Sequence, residues 1–409
     1  MISETDGRPQ RFRFGRLWSA AVASNLGDGL VLAAFPLIAA GLSTDPVAIS
    51  IITAAAGLPW LIFGSVAGAI VDRFDRRKLM VAFDAARAIV VALFAIAVAS
   101  DAVTLWATYL AVFLVATGET VVDTSSQSIL PALVPREGLD VANGRLFSTM
   151  TLAHRFVGPP LGGWLFGLAV VLPIAADSVT FAVAALLMFS LSGRFGPEPE
   201  DTRRVGSIGS SVVEGFKWLW DNRPIRTFAI GAGLLNIGIM AGESILVLFA
   251  RDQLGLGAIG FGSLFAALAA GYALGSGVAP LVTARFDRLM VIGVGVGLIA
   301  LSLWAIATSR HWVPASAGLL GIGIGSGLWD VVAVSYRQAA VPDRLLGRIM
   351  SAYRVIAHGS VPVGAILGGV VAGLGGNAAA FAFGGVLVVV ALVFVVINLR
   401  SVELDPALA

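Results

Sequence analysis

A few ionisable residues lie inside long apolar runs of this chain, where they could bind and release protons. Asp28 lies about eleven residues inside the run Leu17–Leu42, and Arg155 reaches a similar depth in the run Phe147–Leu168. A carboxylate in such surroundings is costly unless a cation pairs with it. The sequence therefore predicts an Asp28–Arg155 pair that alternates with a protonated acid and so couples proton entry to transport. The alternative is a static pair that holds the two helices together.

Two further acids share one helix face. Glu119 and Asp123 are four residues apart, so their side chains are neighbours on a helix and their charges repel each other. This repulsion is expected to raise the apparent pKa of at least one of them, which would allow that residue to act as a proton carrier. Asp123 lies nearer the end of its helix, where pairing with Arg145 as a gate latch is the simpler role. Asp84 and Arg87 are three residues apart and are expected to satisfy each other, so we leave them out of the predicted site.

Histidines and amides supply the remaining candidates. His154 and His358 lie near mid-depth of their runs, where an imidazole either relays protons near neutral pH or packs through hydrogen bonds. Asn25 and Asn236 lie at matching depths in two other runs, and Glu243 lies further along the second of these. These three polar residues are predicted to line a substrate cavity.

The elements that must position these residues follow from composition. The chain has 409 residues, of which 57% are hydrophobic and 13% charged, and its mean hydropathy is +0.90. Its apolar runs of about 20 residues or more can each cross a bilayer core about 30 Å thick as a helix. Spanning segments must satisfy every backbone amide internally, and unbroken runs without two-residue alternation exclude a β-barrel. We therefore predict an all-α membrane protein and exclude a soluble one.

Twelve transmembrane helices are predicted from the apolar runs. They lie near Leu17–Leu42, Ile49–Val71, Leu79–Ser100, Val103–Leu130, Phe147–Leu168, Val170–Leu191, Phe228–Phe249, Gly260–Thr283, Leu289–Thr308, Val313–Val334, Val355–Leu374 and Ala378–Leu399.

Basic residues mark one set of connections as cytoplasmic. Arginines cluster at 8–16, 73–77, 136–145, in the long middle loop, at 285–288 and at 344–354, whereas the opposite connections hold only Arg251 and Arg310. Both termini are therefore predicted to face the cytoplasm, and the even helix count agrees. Lys78 and Lys217 are the only lysines, which hints at a GC-rich bacterial genome. We accordingly expect a multi-pass protein of the bacterial plasma (inner) membrane.

The longest polar stretch, residues 193–227, divides the chain. Its Pro-rich and acidic part reads as a linker, and Val212–Trp220 mixes aromatic with charged residues as a helix on the membrane surface does. The predicted domains are an N-terminal six-helix bundle at 1–192, a cytoplasmic linker with an interfacial helix at 193–227 and a C-terminal six-helix bundle at 228–409.

The two halves repeat one another. The segment Val71–Arg76 recurs as Thr283–Arg288, in each case just after the second helix of its half. Further matches occur in the same order: Asp123 and Pro135 with Asp330 and Pro342, and Gly144, Arg145 and Pro159 with Gly347, Arg348 and Pro362. We therefore expect Asp330 and Arg348 to form a gate that repeats the one at Asp123 and Arg145.

The loop between the second and third helices carries a recognisable motif. Residues 68–78 read Gly-Ala-Ile-Val-Asp-Arg-Phe-Asp-Arg-Arg-Lys, which resembles the loop signature of the major facilitator superfamily, with an aspartate where a glycine is usual. The resemblance implies two bundles around a central substrate site near the midplane. It also implies a gating loop, whose residues here are Gly68, Asp72, Arg73, Asp75, Arg76 and Arg77. In that interpretation Gly68 permits close helix approach and Asp72 joins the arginines in a charge latch; in the alternative, the arginines only anchor the topology.

A second motif lies in the fifth helix. Residues 158–163 read Gly-Pro-Pro-Leu-Gly-Gly and resemble the signature of the antiporter branch of the superfamily. Pro159 removes a backbone hydrogen bond, while Gly158, Gly162 and Gly163 permit close approach of a partner helix, which predicts a bend at the interface between the halves. A plain packing kink is the alternative.

The segment Asp123–Pro135 further resembles the siderophore and macrolide exporters of the superfamily. One feature departs from the pattern of proton-driven drug exporters, which often carry an arginine within helix four. This chain has none between Val103 and Leu130, so their proton relay cannot be transferred to it.

Together these features predict a proton-coupled exporter, an antiporter, of a small amphipathic organic molecule such as a drug or siderophore, and not an enzyme. The alternatives are a nutrient or metabolite importer on the same fold, or a non-transporting sensor or assembly protein. No phosphate-binding loop is present, so an ion gradient is the expected driver. The expected partners are the substrate, protons and the lipid bilayer. We expect no nucleic acid, no cofactor and, because three histidines are too scattered for a metal motif, no metal. A monomer is expected, although nothing in the sequence reports the oligomeric state.

We expect Asp72→Asn to impair transport without impairing membrane insertion, because a charge latch needs the acid whereas a topology anchor does not. Transport measured in cells with matched membrane levels of both proteins checks this. A fully active variant would remove the gating role of Asp72.

Overall fold

The computed structural model describes residues 10–71, 73–135, 138–193, 195–196, 208–400 and 402. Within these residues the backbone is helical almost throughout and contains no β-strand. The predicted all-α class is therefore confirmed.

The first half of the described chain is built from seven α-helices. They are α1 (Gln10–Leu42), α2 (Pro46–Val71), α3 (Arg76–Ala99), α4 (Leu105–Ile129), α5 (Leu139–Thr151), α6 (Gly158–Leu168) and α7 (Val171–Phe189). A short 3₁₀ turn, Leu130–Ala132, follows α4, and a π-helical segment, Leu152–Val157, joins α5 to α6.

The second half follows the long polar stretch. Its described helices are α8 (Ile208–Asp221), α9 (Arg223–Glu243), α10 (Leu246–Asp252), α11 (Ala258–Thr283), α12 (Arg288–Thr308), α13 (Trp312–Ala340), α14 (Asp343–Gly375) and α15 (Asn377–Leu399). The predicted surface helix at Val212–Trp220 lies within α8; its position on the membrane stays a prediction.

Eleven helical segments of the described chain are long and apolar enough to cross a membrane. The α9 and α10 helices together form one of these segments, Arg223–Asp252. The predicted fifth span is not among the eleven; over Leu139–Leu168, α5, the π-helical segment and α6 follow one another, so the α-helix there is interrupted. Proline explains the interruption. Pro159 has no amide hydrogen to donate to the preceding turn, and a π-helical turn is one way in which a helix absorbs such a loss.

The sequence repeat is visible in how two helices begin. Asp75 precedes α3 and accepts a hydrogen bond from the backbone N–H of Lys78 (3.1 Å), while Asp287 precedes α12 and accepts one from the backbone N–H of Leu289 (3.2 Å). An aspartate in this position satisfies an amide that the first helical turn leaves unpaired. The aspartate that replaces the usual glycine of the loop signature therefore acts as a helix cap.

Backbone contacts divide the chain into two compact units. The first contains Met1–Ile38 and Ile62–Ile208, and the second contains Ala39–Leu61 and Gly209–Ala409. The end of α1 and the beginning of α2 thus group with the second unit, where Gly57 lies against Pro362 and Gly369 lies against Ser50. The domain boundaries at 193 and 227 stay a prediction.

Glycines bring α1 and α6 together inside the first unit. A Cβ atom added at Gly29 would lie 2.6 Å from the backbone oxygen of His154 and 2.8 Å from the Cα atom of Gly158. Gly162 lies in the same way against the backbone of Leu30. The glycines of the fifth-helix motif therefore do permit close approach of a partner helix. That partner is α1 of the same unit; a role of the motif at the interface between the halves stays a prediction.

We expect Gly29→Ala to lower the stability of the protein by about 1–3 kcal/mol, because the added methyl group would meet backbone atoms that cannot move aside. Thermal unfolding in detergent, followed by circular dichroism, measures the change. Gly15→Ala is a matched control on the same helix, since a Cβ there meets no atom within 4 Å. Equal melting temperatures for the two variants would contradict the close packing of α1 on α6.

Candidate functional site: a buried ion cluster

Arg87, in the middle of α3, is a deeply buried cation of the first unit. Its side chain is only 2% exposed, although α3 is one of the helices able to cross a membrane. A guanidinium ion removed from water needs acceptors nearby, since leaving it uncompensated costs several kcal/mol (about 3–5). The arrangement around Arg87 is therefore determined by the acceptors that compensate its charge.

Two carboxylates and one hydroxyl accept hydrogen bonds from the guanidinium of Arg87. Arg87 forms a salt bridge through Nη2 with Asp28 of α1 and a second, at 3.3 Å, through Nη1 with Asp84 of its own helix. Nη1 also donates to the hydroxyl of Ser24 (3.1 Å), and that hydroxyl donates to Asp84 (3.4 Å). All four side chains are buried. The result is a compact hydrogen-bonded cluster that joins α1 to α3.

Apolar groups close the cluster on its other sides. The ring of Phe181 on α7 lies against the guanidinium, with 3.8 Å between Cζ of Arg87 and the ring centroid. Gly118 of α4 provides the space for the arginine side chain, because a Cβ atom there would lie 2.6 Å from both Cγ and Cδ of Arg87. A cation over an aromatic face is favourable, and most favourable where water is excluded.

Glu119 and His154 extend the cluster towards a more accessible region. Both side chains are half-buried, and a carboxylate oxygen of Asp28, a carboxylate oxygen of Glu119 and a ring nitrogen of His154 all lie within 4.8 Å of one another. One imidazole and two carboxylates are donors that a divalent cation can use. Asp28 is already paired with the guanidinium of Arg87, however, so the negative charge of this group of donors is partly neutralised by a cation of the protein itself.

Carboxyl groups outnumber cations inside the cluster. The charges of Asp28, Asp84, Glu119 and Asp177 all act on Arg87. Ionising all four carboxyls around one buried guanidinium would leave an excess of negative charge in a region of low dielectric constant, which is unfavourable. Protons are the simplest neutralising agent, and groups this close titrate as a unit.

The structure corrects the pairing expected for Asp28. Its salt-bridge partner is Arg87, whereas the side chain of Arg155 is exposed. Arg155 lies in the π-helical segment, whose extra residue per turn changes the direction in which the following side chains point. Asp84 and Arg87 do pair with each other as predicted, and Arg87 also binds Asp28, so both belong to the buried cluster.

Several predicted site residues take part in other contacts. Asn25 donates to the backbone oxygen of Ala21 (2.9 Å), one turn earlier in α1, and Asn236 donates to the backbone oxygen of Ala357 (2.6 Å) in α14. Asp123 and Glu243 are half-buried, on α4 and at the end of α9. The roles of these four residues in a cavity stay predictions.

The predicted gate residues Asp330 and Arg145 and the predicted proton-relay residue His358 lie on three different helices. Asp330 of α13 accepts a hydrogen bond from the hydroxyl of Tyr272 (3.0 Å), and His358 of α14 lies 6.3 Å from the ring of Trp60, measured between ring centroids. Arg145 is exposed on α5, and the side chain of Arg348 lies outside the described residues. The pairing of either arginine with its predicted aspartate stays a prediction.

The predicted gating loop makes contacts within the first unit. Asp72 lies outside the described residues, and the side chain of Arg73 is exposed. Arg77 donates to the backbone oxygen of Leu191, and Asp75 accepts from the backbone N–H of Phe195 (2.8 Å). The start of α3 is thereby tied to the segment that follows α7.

Two other loop residues complete this picture. The backbone N–H of Arg76 donates to the backbone oxygen of Phe195 (3.3 Å), in agreement with the contacts of its neighbours. A Cβ atom at Gly68 would meet no heavy atom of the described residues within 4 Å. The close helix approach expected at Gly68 is therefore not present there.

The comparison with known proteins decides the family. Residues 8–407 match the family described as Transmembrane secretion effector, one of the families of the major facilitator superfamily. The chain belongs to this family. It is therefore a multi-pass membrane transporter of an efflux-like branch, and not an enzyme.

Relatives of this transporter carry related names. The multidrug efflux pump Tap of Mycobacterium tuberculosis is 27% identical over 370 residues, covering 86% of this chain and 84% of that protein. The multidrug efflux pump Tap of Mycolicibacterium fortuitum is 27% identical over 382 residues, covering 88% and 90%. An uncharacterized MFS-type transporter of Mycobacterium tuberculosis is 30% identical over 363 residues, covering 83% and 80%.

Solved structures show the same fold. A bacterial homolog of the human lysosomal transporter Spinster superposes with a TM-score of 0.75 at 14% identity, covering 97% of this chain and 98% of that one. The nucleoside transporter NupG superposes with a TM-score of 0.70 at 14% identity, covering 96% and 99%. At this identity the likeness concerns the fold alone, and it confirms the major facilitator fold of this transporter.

One buried acid of the transporter was missed by the sequence reasoning. Asp177 of α7 is wholly buried, and neither of its carboxylate oxygens has a hydrogen-bond partner. The signal was present, because an acid inside an apolar run is expensive and calls for a partner.

We expect Arg87→Met to destabilise the transporter by about 3–5 kcal/mol, because the change leaves Asp28 and Asp84 without their cation. Thermal unfolding in detergent measures the loss. The added change Asp28→Asn should restore part of the stability, since it removes one of the two orphaned charges. Arg251→Met is the control, because Arg251 and Asp252 form an exposed pair that contributes about 0–1 kcal/mol. A double variant no more stable than Arg87→Met would contradict the role of Asp28 as the partner of Arg87.

Proposed function

We propose that this transporter is a proton-coupled exporter of small amphipathic organic molecules, located in the bacterial inner membrane with both termini in the cytoplasm. Two relatives that align along most of their length are named multidrug efflux pumps, which supports export. The fifth-helix motif supports the same direction, because it resembles the signature of the antiporter branch. The charge asymmetry of the loops supports the orientation.

The observation that carries proton coupling is the ion cluster around Arg87. The salt bridge between Arg87 and Asp28 joins two helices at buried positions, and it exists only while Asp28 is ionised. A proton that binds Asp28 abolishes its charge and frees the guanidinium to take another partner. Proton binding therefore changes how α1 is held to α3, which is the kind of local event that biases a two-state element.

A route for protons is supported by the exposure of the surrounding groups. Asp28 is 6% exposed, while Glu119 and His154, both within reach of it, are half-buried. We infer that Glu119 and His154 receive protons first and pass them to Asp28. His154 is suited to this step because a neutral imidazole offers one nitrogen that accepts a hydrogen bond and one N–H that donates.

Antiport follows if substrate and proton exclude each other at this cluster. A substrate that engages the ionised carboxylate of Glu119 opposes protonation of that group. Substrate binding then releases a proton, and proton binding releases the substrate. The coupling is reciprocal, since each ligand must shift the affinity for the other by the same factor. The likeness to a nucleoside transporter concerns the fold alone and adds no support to import.

The larger architecture belongs to the same proposal. Two six-helix bundles, at 1–192 and 228–409, would rock about a substrate site between them, with the loop at 68–78 acting as the gate. The packing of α1 on α6 within the first unit supports the movement of that unit as one body, because tightly packed helices transmit small shifts without deforming.

We expect Asp28→Asn to abolish substrate export that is driven by a proton gradient, because an amide can neither be ionised nor release a proton. Ethidium transport into inverted membrane vesicles, driven by an imposed pH gradient, tests this directly. A panel of antibiotics and siderophores tested for resistance in an efflux-deficient host then defines the substrate range.

The matched control is Asp101→Asn. Asp101 is exposed in a turn with a φ of 55°, a conformation that asparagine also tolerates, so the same chemical change is made where no cluster exists. Export by Asp28→Asn equal to that of the control would discard Asp28 as the coupling acid. Lack of transport by the unsubstituted protein across the whole panel would contradict export itself.

A further inference from the structure

Asp177 is the acid of the cluster that no contact explains. Its side chain has 0% exposure, and both carboxylate oxygens are buried without a hydrogen-bond partner. The hydroxyl of Thr180, one turn later, donates to the backbone oxygen of Asp177 (2.7 Å). An ionised carboxylate so deeply buried would be strongly unfavourable, which favours the protonated form in this arrangement.

The position of Asp177 is fixed from two sides. On one side it lies against Gly27 of α1, where any Cβ atom would collide with its Oδ1 atom. On the other side, Phe181 follows it by one helical turn on the same face of α7 and covers the guanidinium of Arg87. Asp177 is thus held between the residue that precedes Asp28 and the arginine that Asp28 binds.

The cluster contains hydrogen-bonding capacity that this arrangement does not use. Arg87 has a buried Nε–H group with no acceptor, while Oδ2 of Asp84 and both oxygens of Asp177 have no donor. An unused donor and unused acceptors within one buried cluster indicate that it can adopt a second arrangement of similar energy. The ionisable groups that face Asp177 are Asp28 on α1 and Asp84 and Arg87 on α3, and Arg87 is the single cation among them.

We propose that Asp177 is a second proton-binding site and the alternate partner of Arg87. In the arrangement seen here Arg87 binds ionised Asp28, and Asp177 holds a proton. In the second arrangement Arg87 binds ionised Asp177, and Asp28 holds the proton. The inference rests on the proposed proton coupling, and it adds a place where a proton is stored beyond the reach of solvent.

The exchange between the two arrangements conserves protons and charge. The O–H bond of Asp177 breaks as an O–H bond forms on Asp28, and the guanidinium moves in the opposite direction. The net charge of the cluster is the same before and after, so no uncompensated charge appears in the interior. Because Asp177 has no exposure of its own, its proton enters and leaves through Asp28, which is 6% exposed.

Infrared difference spectroscopy tests, without any substrate, whether Asp177 holds a proton. The carbonyl stretch of a protonated carboxyl is recorded at neutral pH for the purified full-length protein in lipid, for Asp177→Asn and for Asp28→Asn. We expect Asp177→Asn to lose the intensity of one protonated carboxyl. We expect Asp28→Asn to lose it as well, because Arg87 then moves to Asp177 and drives off its proton.

Two spectra would overturn the proposal. A protonated-carboxyl band unchanged by Asp177→Asn would mean that Asp177 is ionised in the resting protein. A band that disappears in Asp177→Asn but persists in Asp28→Asn would mean that Asp177 is a static neutral acid and that Arg87 does not exchange partners. If Asp177→Asn fails to fold, the spectrum of Asp28→Asn still tests whether Arg87 exchanges partners.

Transport supplies a functional arm with a matched control. We expect Asp177→Asn to lower proton-driven ethidium export at least tenfold and to flatten its dependence on pH, because an amide cannot bind and release the stored proton. The amide has nearly the shape of the protonated acid, so packing should stay intact. Ser178→Ala removes a hydrogen bond from the neighbouring residue to the backbone oxygen of Ala88 (2.8 Å) without removing a titrating group, so its pH profile should match that of the unsubstituted protein. An unaltered pH profile for Asp177→Asn would refute a role in transport. If no ethidium is exported by any version, the proposed function fails, while the infrared result still decides whether Asp177 stores a proton.

Discussion

A guanidinium buried among membrane helices can persist only where carboxylates meet its charge, and this requirement organises the first unit. Arg87 draws Asp28 and Ser24 of α1 and Asp84 of its own helix into one hydrogen-bonded cluster. The desolvation of these ions is expensive, and replacing such pairs with apolar residues is frequently neutral or stabilising in other proteins. Stability alone therefore does not account for the cluster. An arrangement in which acids outnumber cations is better explained by a function that adds and removes protons.

Glycine determines where this chemistry can take place. Gly118 gives Arg87 its space, Gly27 gives Asp177 its space, and Gly29 lets α1 lie against α6. Small residues of this kind are how membrane helices approach closely, because lipid offers little hydrophobic drive for packing. The same sites make the cluster stiff, since neighbouring backbones touch and cannot yield. A change of charge inside the cluster can consequently be passed to whole helices without being absorbed locally.

The class, the helices and the superfamily could be predicted from the sequence because they depend on signals local in the chain. Apolar runs fix the spans, and the loop motif carries the resemblance at Asp75 and its neighbours. The partner of Asp28 could not be predicted, because depth along a helix says nothing about the direction of a side chain. Arg155 had the right depth, but the π-helical segment that contains it changes its direction; Pro159 predicts a bend nearby without predicting where the neighbouring side chains point. Asp177 was missed for the related reason that its importance lies in what surrounds it.

The sequence repeat predicts two similar halves, yet the described polar interiors of the two units differ in kind. In the first unit Arg87 is met by carboxylates, whereas in the second unit Arg337 lies against the ring of Tyr353 (3.6 Å to the centroid) and Asp330 accepts from the hydroxyl of Tyr272 (3.0 Å). Aromatic partners satisfy a charge without taking up or releasing protons at ordinary pH, whereas clustered carboxyls do both. This difference supports the proposed proton coupling, because such coupling needs an acid cluster in only one of the two units. On that proposal, the contacts of α1, α3 and α7 are those that change when a proton binds.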